Sequence, residues 1–420
     1  MNKIKSIKDV EKRLGFQLKK EQYQAVVNVL DGKDTLVIAA PSYGKSAIFH
    51  AASLVNEDKM VLVIEPTISL IMDQVNRLRS LDTPVAVSYM TSYNKAEHKE
   101  ILKEIARNKI TLLYVTPERL QQDSFQDAIK HCEPWLIVVD ECHLVLDWGM
   151  SFRPDYLSIG KFVESLAERP VLLAMTATAP PNYRKQLFES LNMRDPDKII
   201  LSIDKPKLSI IRENVSDHKI DNPKKHIVYM LKRVRIHIKK YGTSKEGELY
   251  STIIYCLTPD DVEMAANYLR KYYENEVLVS QGKLSKNKRT TNELDFLSGR
   301  KKIMVATSAF GQGVDKADIR LVVHYGLPLS VIDYYQQIGR AGRDGTKAAA
   351  VVLYDKGLMK KNKMLIRGLP VTVQDWMQKN QSLLEHILLG DKCFMQKILN
   401  EFGETRKKPC NHCSVCQKRR

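Results

Sequence analysis

The feature that most constrains this chain is an alternation that occurs twice along it. From Thr35 to about Ser202, short apolar runs (36–39, 61–64, 112–115, 136–139 and 171–174) are separated by longer stretches that mix polar and apolar residues. A run of four apolar residues in a row suits a strand buried on both faces, and the stretches between have the length and pattern of helices. That combination predicts a mostly parallel sheet covered on both sides. Asp204-Lys205-Pro206-Lys207 then reads as a linker, and a basic stretch over 224–240 as a helix. A second strand-helix series follows at 251–255, 276–280, 303–306, 321–324 and 348–353. Two α/β domains are therefore expected, at 1–204 and 205–345, with a mainly helical segment over 346–420.

The first apolar run leads into Ala39-Ala40-Pro41-Ser42-Tyr43-Gly44-Lys45-Ser46, and a helical segment follows. A loop at a strand-to-helix turn aims backbone N–H groups and the helix N-terminus at phosphate oxygens. Lys45 is the candidate for the β- and γ-oxygens of ATP, and Ser46 for Mg²⁺. Ser42, Tyr43 and Gly44 complete the loop, although Ala39 replaces the first glycine of the usual pattern. About one hundred residues later, the strand over 136–139 ends in Asp140-Glu141-Cys142-His143. Asp140 is placed to hold Mg²⁺ and Glu141 to polarise the attacking water. In the second series, Gln336-Gln337-Ile338-Gly339-Arg340-Ala341-Gly342-Arg343 carries two arginines three residues apart. Arg340 and Arg343 can meet γ-phosphate charge, with Arg343 the preferred arginine finger.

Near the end, Cys393 precedes Cys410-Asn411-His412-Cys413-Ser414-Val415-Cys416. Two C-x-x-C steps sharing Cys413 bring three thiols into one loop, and Cys393 can supply a fourth. Four thiolates suit a closed, structural Zn²⁺ site, with His412 an alternative ligand. The remaining cysteines (Cys132, Cys142 and Cys256) are scattered, as in a chain kept in a reducing compartment.

Together these segments resemble the RecQ family of superfamily-two DNA helicases, over about 14–416. The resemblance implies two tandem RecA-like P-loop domains with parallel sheets, plus a small helical zinc-binding C-terminal module. Gln22 stands where the family reads adenine, and Lys19 replaces the family's arginine beside it. The segment from Glu65 to Val75, with Ser69 and Gln74, is similar to a motif that touches single-stranded DNA, and Thr116 belongs to the next such motif. Thr176-Ala177-Thr178 resembles the motif coupling hydrolysis to strand separation. The stretches 306–316, with Thr307, and 334–336, with nucleotide-contacting Gln336, are close to the family pattern. Trp148 to Tyr156 looks like the family's aromatic loop, in which Trp148, Phe152 and Arg153 would meet DNA. Unpaired bases stack on such rings at about 1–3 kcal/mol each.

The resemblance implies ATP, Mg²⁺ and Zn²⁺ as cofactors and DNA, single-stranded or as a tailed duplex, as partner. ATP would bridge the two domains, and hydrolysis would drive 3′→5′ movement and unwinding. Charge agrees with a polyanionic partner: 66 Lys and Arg stand against 49 Asp and Glu, a net +17. The segment 346–420 alone holds 15 basic and six acidic residues. The basic stretch 232–240 reads as a solvated helix face, while Lys360, Lys361, Lys363, Arg367 and 418–420 are candidates for duplex backbone. Neither a secretory signal nor an apolar run of membrane-spanning length is visible, so a cytoplasmic protein is expected, on the nucleoid in a prokaryote. The chain ends four residues after Cys416. The expectation is a short form without winged-helix and C-terminal helical domains, in which a protein partner could supply the duplex grip. The alternatives are a translocase or DNA-sensing subunit of a defence or repair complex, an RNA helicase, and a binding module on a helicase scaffold.

Overall fold

The computed structural model describes residues 3–40, 43–80, 86–145, 154–216, 222–311 and 316–418. The chain divides into two compact units, one running up to Ile203 and the other starting at Asp204.

The first unit is built on a seven-stranded parallel sheet. Its strands are β1 (Thr35–Ile38), β2 (Val61–Ile64), β3 (Val87–Met90), β4 (Leu112–Val115), β5 (Leu136–Val139), β6 (Val171–Thr176) and β7 (Asp197–Ile200). Their order across the sheet is β3-β4-β2-β5-β6-β1-β7. Every residue of β1, β2, β4 and β5 is buried, as the unbroken apolar runs require. The edge strands β3 and β7 are only partly buried and mix polar with apolar residues, which is why their sequences carry no such run. Helices Lys20–Leu30 and Ser46–Val55 pack with the sheet around Val26, Val29, Ile48, Phe49, Val63 and Tyr114. At the opposite end from the strand C-termini, buried Asp34 accepts hydrogen bonds from the N–H groups of Leu172 (2.9 Å) and Arg194 (2.7 Å) and from Arg169 Nη1 (3.1 Å). One carboxylate thus ties together the starts of β1 and β6 and the approach to β7.

The second unit holds a six-stranded parallel sheet: β8 (Leu208–Asn214), β9 (Ser251–Cys256), β10 (Val277–Ser280), β11 (Ile303–Ala306), β12 (Ile319–Tyr325) and β13 (Ala348–Tyr354), in the order β10-β11-β9-β12-β13-β8. β13 lies between β12 and β8, so this sheet extends through Tyr354, past residue 345. Helix Pro223–Tyr241 carries the basic stretch and is amphipathic. Met230, Leu231, Val234 and Ile238 enter the core. Arg233 and His237 both pair with Glu213 on β8, His237 Nε2 at 2.6 Å, and the Arg235 guanidinium lies 4.1 Å from the centre of the Tyr272 ring. Only Lys232, Lys239 and Lys240 of that run are exposed, so the solvated-face reading holds for part of the helix.

Beyond β13 come helices Lys356–Arg367, Val371–Leu389, Phe394–Glu401 and Ser414–Lys418. Within this unit they are tied to the sheet by Arg212 of β8, whose Nη1 donates to the carbonyls of Leu388 (2.8 Å) and Gly390 (2.7 Å). Lys361 does not face outward as its place in a basic cluster suggested. Its Nζ bonds both carboxylate oxygens of Asp261, at 2.8 and 2.6 Å, because that buried helix-capping acid needs a counter-charge. Lys360, Lys363 and Arg367 remain exposed. Among the described residues, no helix is long and apolar enough to cross a membrane.

Candidate functional site

In a parallel sheet all strand C-termini share one edge, and ligands settle there. The candidate residues of the first unit collect along that edge. β1 passes through the loop into helix Ser46–Val55, with Gly44 at φ +85° and Lys45 as the N-cap residue. Lys45 is buried and its Nζ lies 3.4 Å from the Ala39 carbonyl oxygen. The loop is clamped to helix Lys20–Leu30. Gln22 Nε2 donates to the carbonyls of Tyr43 (3.1 Å) and Gly44 (2.9 Å), and Gln22 Oε1 accepts the Lys19 N–H (2.8 Å). Tyr43 OH donates to Glu21 (2.8 Å), and Lys19 Nζ sits 4.3 Å from the Tyr43 ring centre. The contact explains Gly44, since a Cβ there would stand 3.1 Å from Gln22 Nε2 in a backbone conformation that side chains disfavour. Ser42 lies outside the described residues.

Asp140 and Glu141 end β5. Glu141 occupies the left-handed region at φ +47°, a strained position typical of functional strand ends, and its N–H bonds Asp140 Oδ1 at 2.9 Å. Burial, and then the Glu141 charge, push the Asp140 carboxyl up to about 6, against the pull of Lys45. A third carboxylate, Glu65, follows β2, the strand beside β5. It is completely buried, and neither of its oxygens has a hydrogen-bond partner among the described residues. Burial, then Asp140 and Glu141, raise its pKa well above the carboxylate range. Concentrated buried acid with one lysine is a field that welcomes a divalent cation. The carboxylates of this strand end, Asp140 with orphaned Glu65 beside it, therefore fit a divalent cation such as Mg²⁺. Glu65 was hidden in the sequence, where it reads only as the start of the 65–75 motif.

His143 also escaped a role in the sequence. Its Nδ1 lies 2.9 Å from Thr176 Oγ1 and 3.3 Å from Glu141 Oε2, joining the acidic strand end to the Thr176-Ala177-Thr178 turn. Thr176 Oγ1 in turn accepts the Thr178 N–H at 3.1 Å. Of the nucleic-acid candidates, exposed Ser69 and half-buried Thr116 follow the adjacent strands β2 and β4, and Gln74 lies on helix Ile68–Arg79. Trp148, Phe152 and Arg153 lie outside the described residues.

In the second unit, helix Val331–Ile338 carries half-buried Gln336 and ends at Gly339. Arg340 is buried, and Gly311 admits it: a Cβ on Gly311 would fall 2.6 Å from Arg340 Nε and 2.8 Å from Tyr255 OH. Arg343 is half-buried. Thr307, at the end of β11, is buried with its N–H 3.3 Å from the Ser280 carbonyl.

The thiols of Cys393, Cys410, Cys413 and Cys416 are all buried, with their sulfur atoms within 4.8 Å of one another. Cys410 Sγ and Cys416 Sγ are 3.9 Å apart, and Cys410 Sγ and Cys393 Sγ each accept a backbone N–H at 3.2 Å. Hydrogen bonds from Cys393 and Cys410 pull the Cys413 pKa down, while the hydrogen bonds from Cys393 and Cys413 push Cys410 up. His412 is outside the cluster. The donor set fits Zn²⁺.

The DEAD/DEAH box helicase family model matches residues 19–186, and the helicase conserved C-terminal domain model matches 232–345. The chain is 30% identical over 405 residues to the ATP-dependent DNA helicase RecQ of Haemophilus influenzae, covering 96% of this chain and 62% of that protein. It is 30% identical to the probable ATP-dependent DNA helicase RecS of Bacillus subtilis, covering 86% of this chain and 69% of that protein. The chain belongs to the RecQ family. A putative ATP-dependent RNA helicase, R290 of Acanthamoeba polyphaga mimivirus, is 32% identical, covering 94% of this chain and 68% of that protein. Among solved structures, the Mycobacterium smegmatis helicase Lhr bound to single-stranded DNA and AMP-PNP aligns with a TM-score of 0.64 at 19% identity, covering 83% of this chain and 47% of that one. That likeness concerns the fold, two RecA-like parallel-sheet domains.

Proposed function

We propose that this RecQ-family chain is a DNA-stimulated ATPase that moves 3′→5′ along single-stranded DNA and unwinds duplex. The observation that carries the reading is the convergence of Lys45, Asp140 and Glu141 at one sheet edge, with Thr176 joined to Glu141 through His143. In this reading Lys45 holds the β- and γ-phosphates, Ser46 and Asp140 hold Mg²⁺, and Glu141 orients the attacking water. Gln22 reads adenine, while Tyr43, Gly44 and Gln336 line the nucleotide. Arg340 and Arg343 meet charge on the transferred phosphoryl group. The bound Mg²⁺ would supply charge neutralisation at the phosphates. Ser69, Gln74, Thr116 and Thr307, with Trp148, Phe152 and Arg153, are assigned to DNA. The four cysteines are assigned to structural Zn²⁺ in the helical segment that follows β13.

Lys45→Ala and Glu141→Gln should each lower ATP turnover by at least about a hundredfold with native thermal stability, the scale expected for losing a catalytic group. Retained turnover in either variant would remove the site assignment. Displacement from a 3′-tailed but not a 5′-tailed duplex tests polarity. DNA-stimulated hydrolysis without displacement would instead favour a translocase or sensor that needs a protein partner. The RNA reading has one specific support, the resemblance to the mimiviral relative, and stronger stimulation by single-stranded RNA than by DNA would favour it.

A further inference from the structure

Lys205 entered the sequence reading only as part of a linker. In the structure its Nζ donates to the carbonyl of Gly339 at 2.6 Å. That carbonyl closes helix Val331–Ile338 and directly precedes Arg340. The spot is crowded with cations. Burial, followed by the charges of Arg343 and Arg340, pulls the Lys205 pKa down to about 8. A lysine kept against two arginines costs electrostatic energy, so its bond to Gly339 must return something a neutral linker residue could not.

The neighbouring residue is anchored too. Asp204 forms an ion pair with Arg406, on the segment between helix Phe394–Glu401 and Cys410. Arg406 is itself fixed, its carbonyl accepting from Gln396 Nε2 at 3.0 Å and its Nε donating to the Lys408 carbonyl at 3.1 Å. The same segment also touches the helix directly, where the rings of Phe402 and Tyr335 lie 5.3 Å apart. Gly339 leaves no slack, because a Cβ there would meet the Tyr335 carbonyl oxygen at 2.9 Å.

The geometry points to Lys205 as a positioning residue for the Arg340–Arg343 pair: it straps the end of helix Val331–Ile338, and the Asp204–Arg406 ion pair fastens the strap to the loop of the thiol cluster. The strap holds the Gly339 carbonyl, beyond Gln336 and directly before Arg340, so it acts first on the arginines, while Lys45 and Gln22 carry most of nucleotide binding. Losing it should therefore lower kcat and spare KM. The inference rests on the assignment of the arginine pair to turnover, so Arg343→Ala and Arg340→Ala are run beside it.

The experiment measures DNA-stimulated ATP hydrolysis, affinity for a fluorescent ATP analogue and melting temperature for Lys205→Met, Lys205→Arg, Asp204→Asn and the two arginine variants in the full chain. The expected result is a loss of kcat of about tenfold in Lys205→Met, the scale of one lost charge-assisted hydrogen bond. KM and analogue affinity should stay within about twofold, Lys205→Arg should recover most of the loss, and Asp204→Asn should fall between. Full kcat in a well-folded Lys205→Met overturns the strap. If Lys205→Met melts early, Asp204→Asn decides, and native kcat there overturns it equally. If Arg343→Ala and Arg340→Ala both retain full turnover, the assignment of the arginines fails, and the strap as stated is overturned with it. A kcat deficit confined to Lys205→Met and Asp204→Asn would then mark a different route.

Discussion

Stripping metal from the four-cysteine cluster gives a prediction that can be counted thiol by thiol. A structural Zn²⁺ site contributes about 10–16 kcal/mol in small zinc peptides, whereas a whole domain is stable by only about 5–15 kcal/mol. The helices flanking the cluster, Phe394–Glu401 and Ser414–Lys418, have eight and five residues, too short to persist alone. Removing the ion should therefore unfold the segment around the cluster while the parallel sheets stay folded. Of seven cysteines, only Cys132 is partly exposed in the native chain. Cys142 at the end of β5 and Cys256 in β9 are buried in the two sheets, and burial holds both thiols protonated. A disulfide-exchange reagent should titrate one fast thiol in the native protein. After a strong chelator has removed the metal, it should titrate five, and Cys142 and Cys256 should stay protected until urea unfolds the sheets. Cys413→Ser should expose the other three cluster thiols without chelator. A count that stays at one with the metal gone would refute a metal-dependent fold, and a jump to seven would refute its independence from the sheets.

Other outcomes follow from single contacts. Gly160→Ala places a Cβ 2.2 Å from the Ser190 carbonyl oxygen, a backbone atom that cannot step aside. Overpacking of this kind costs about 1–3 kcal/mol and should lower the melting temperature by several degrees, and an unchanged value would mean that helices Ser158–Glu164 and Pro181–Leu191, which carry the two residues, can slide apart. Burial, and then Arg77, hold His50 down at about 3, and burial holds His324 at about 4. Both folded values lie below the usual 6.5, so the unfolded chain binds protons that the folded one refuses. Their stabilisation is complete above about pH 6.5 and is lost as pH falls toward the folded values, at up to about 1.4 kcal/mol per pH unit for each histidine. Glu65 and Asp140 are shifted upward and oppose the trend, so the test compares urea midpoints at pH 7.5 and 5 in the native chain and in His50→Gln, where the acid loss should shrink. Gln22→Ala removes three hydrogen bonds to Lys19, Tyr43 and Gly44. Competition between ATP and GTP should show selectivity for adenine falling about tenfold, as a lost bond of about 1–2 kcal/mol requires, and undiminished selectivity would move base reading elsewhere.

What the sequence disclosed depended on how fully each residue's environment is written into its neighbours. The central strands β1, β2, β4 and β5 are buried on both faces and read as bare apolar runs. β3, β7 and β8 were not legible, because an edge strand with one open side tolerates Ser88, Lys198 or Arg212 and loses its signature. The loop around Lys45, the Asp140-Glu141 strand end and the cysteine spacing stood out in the sequence, because each sets distinctive residue types at short range, and the fold draws the four cysteines into one cluster. Glu65, His143 and Lys205 were not, because each acquires its meaning from a residue far off in the chain: Asp140 for Glu65, Thr176 for His143 and Gly339 for Lys205. Lys361 shows the same limit from the other side. In sequence it is one more charge in a basic run, and in the fold it is the counter-ion of Asp261, one hundred residues earlier. A cationic cluster is thus a list of candidates until burial divides it, and the division here leaves Lys360, Lys363 and Arg367, without Lys361, as the part of that helix free to meet phosphate.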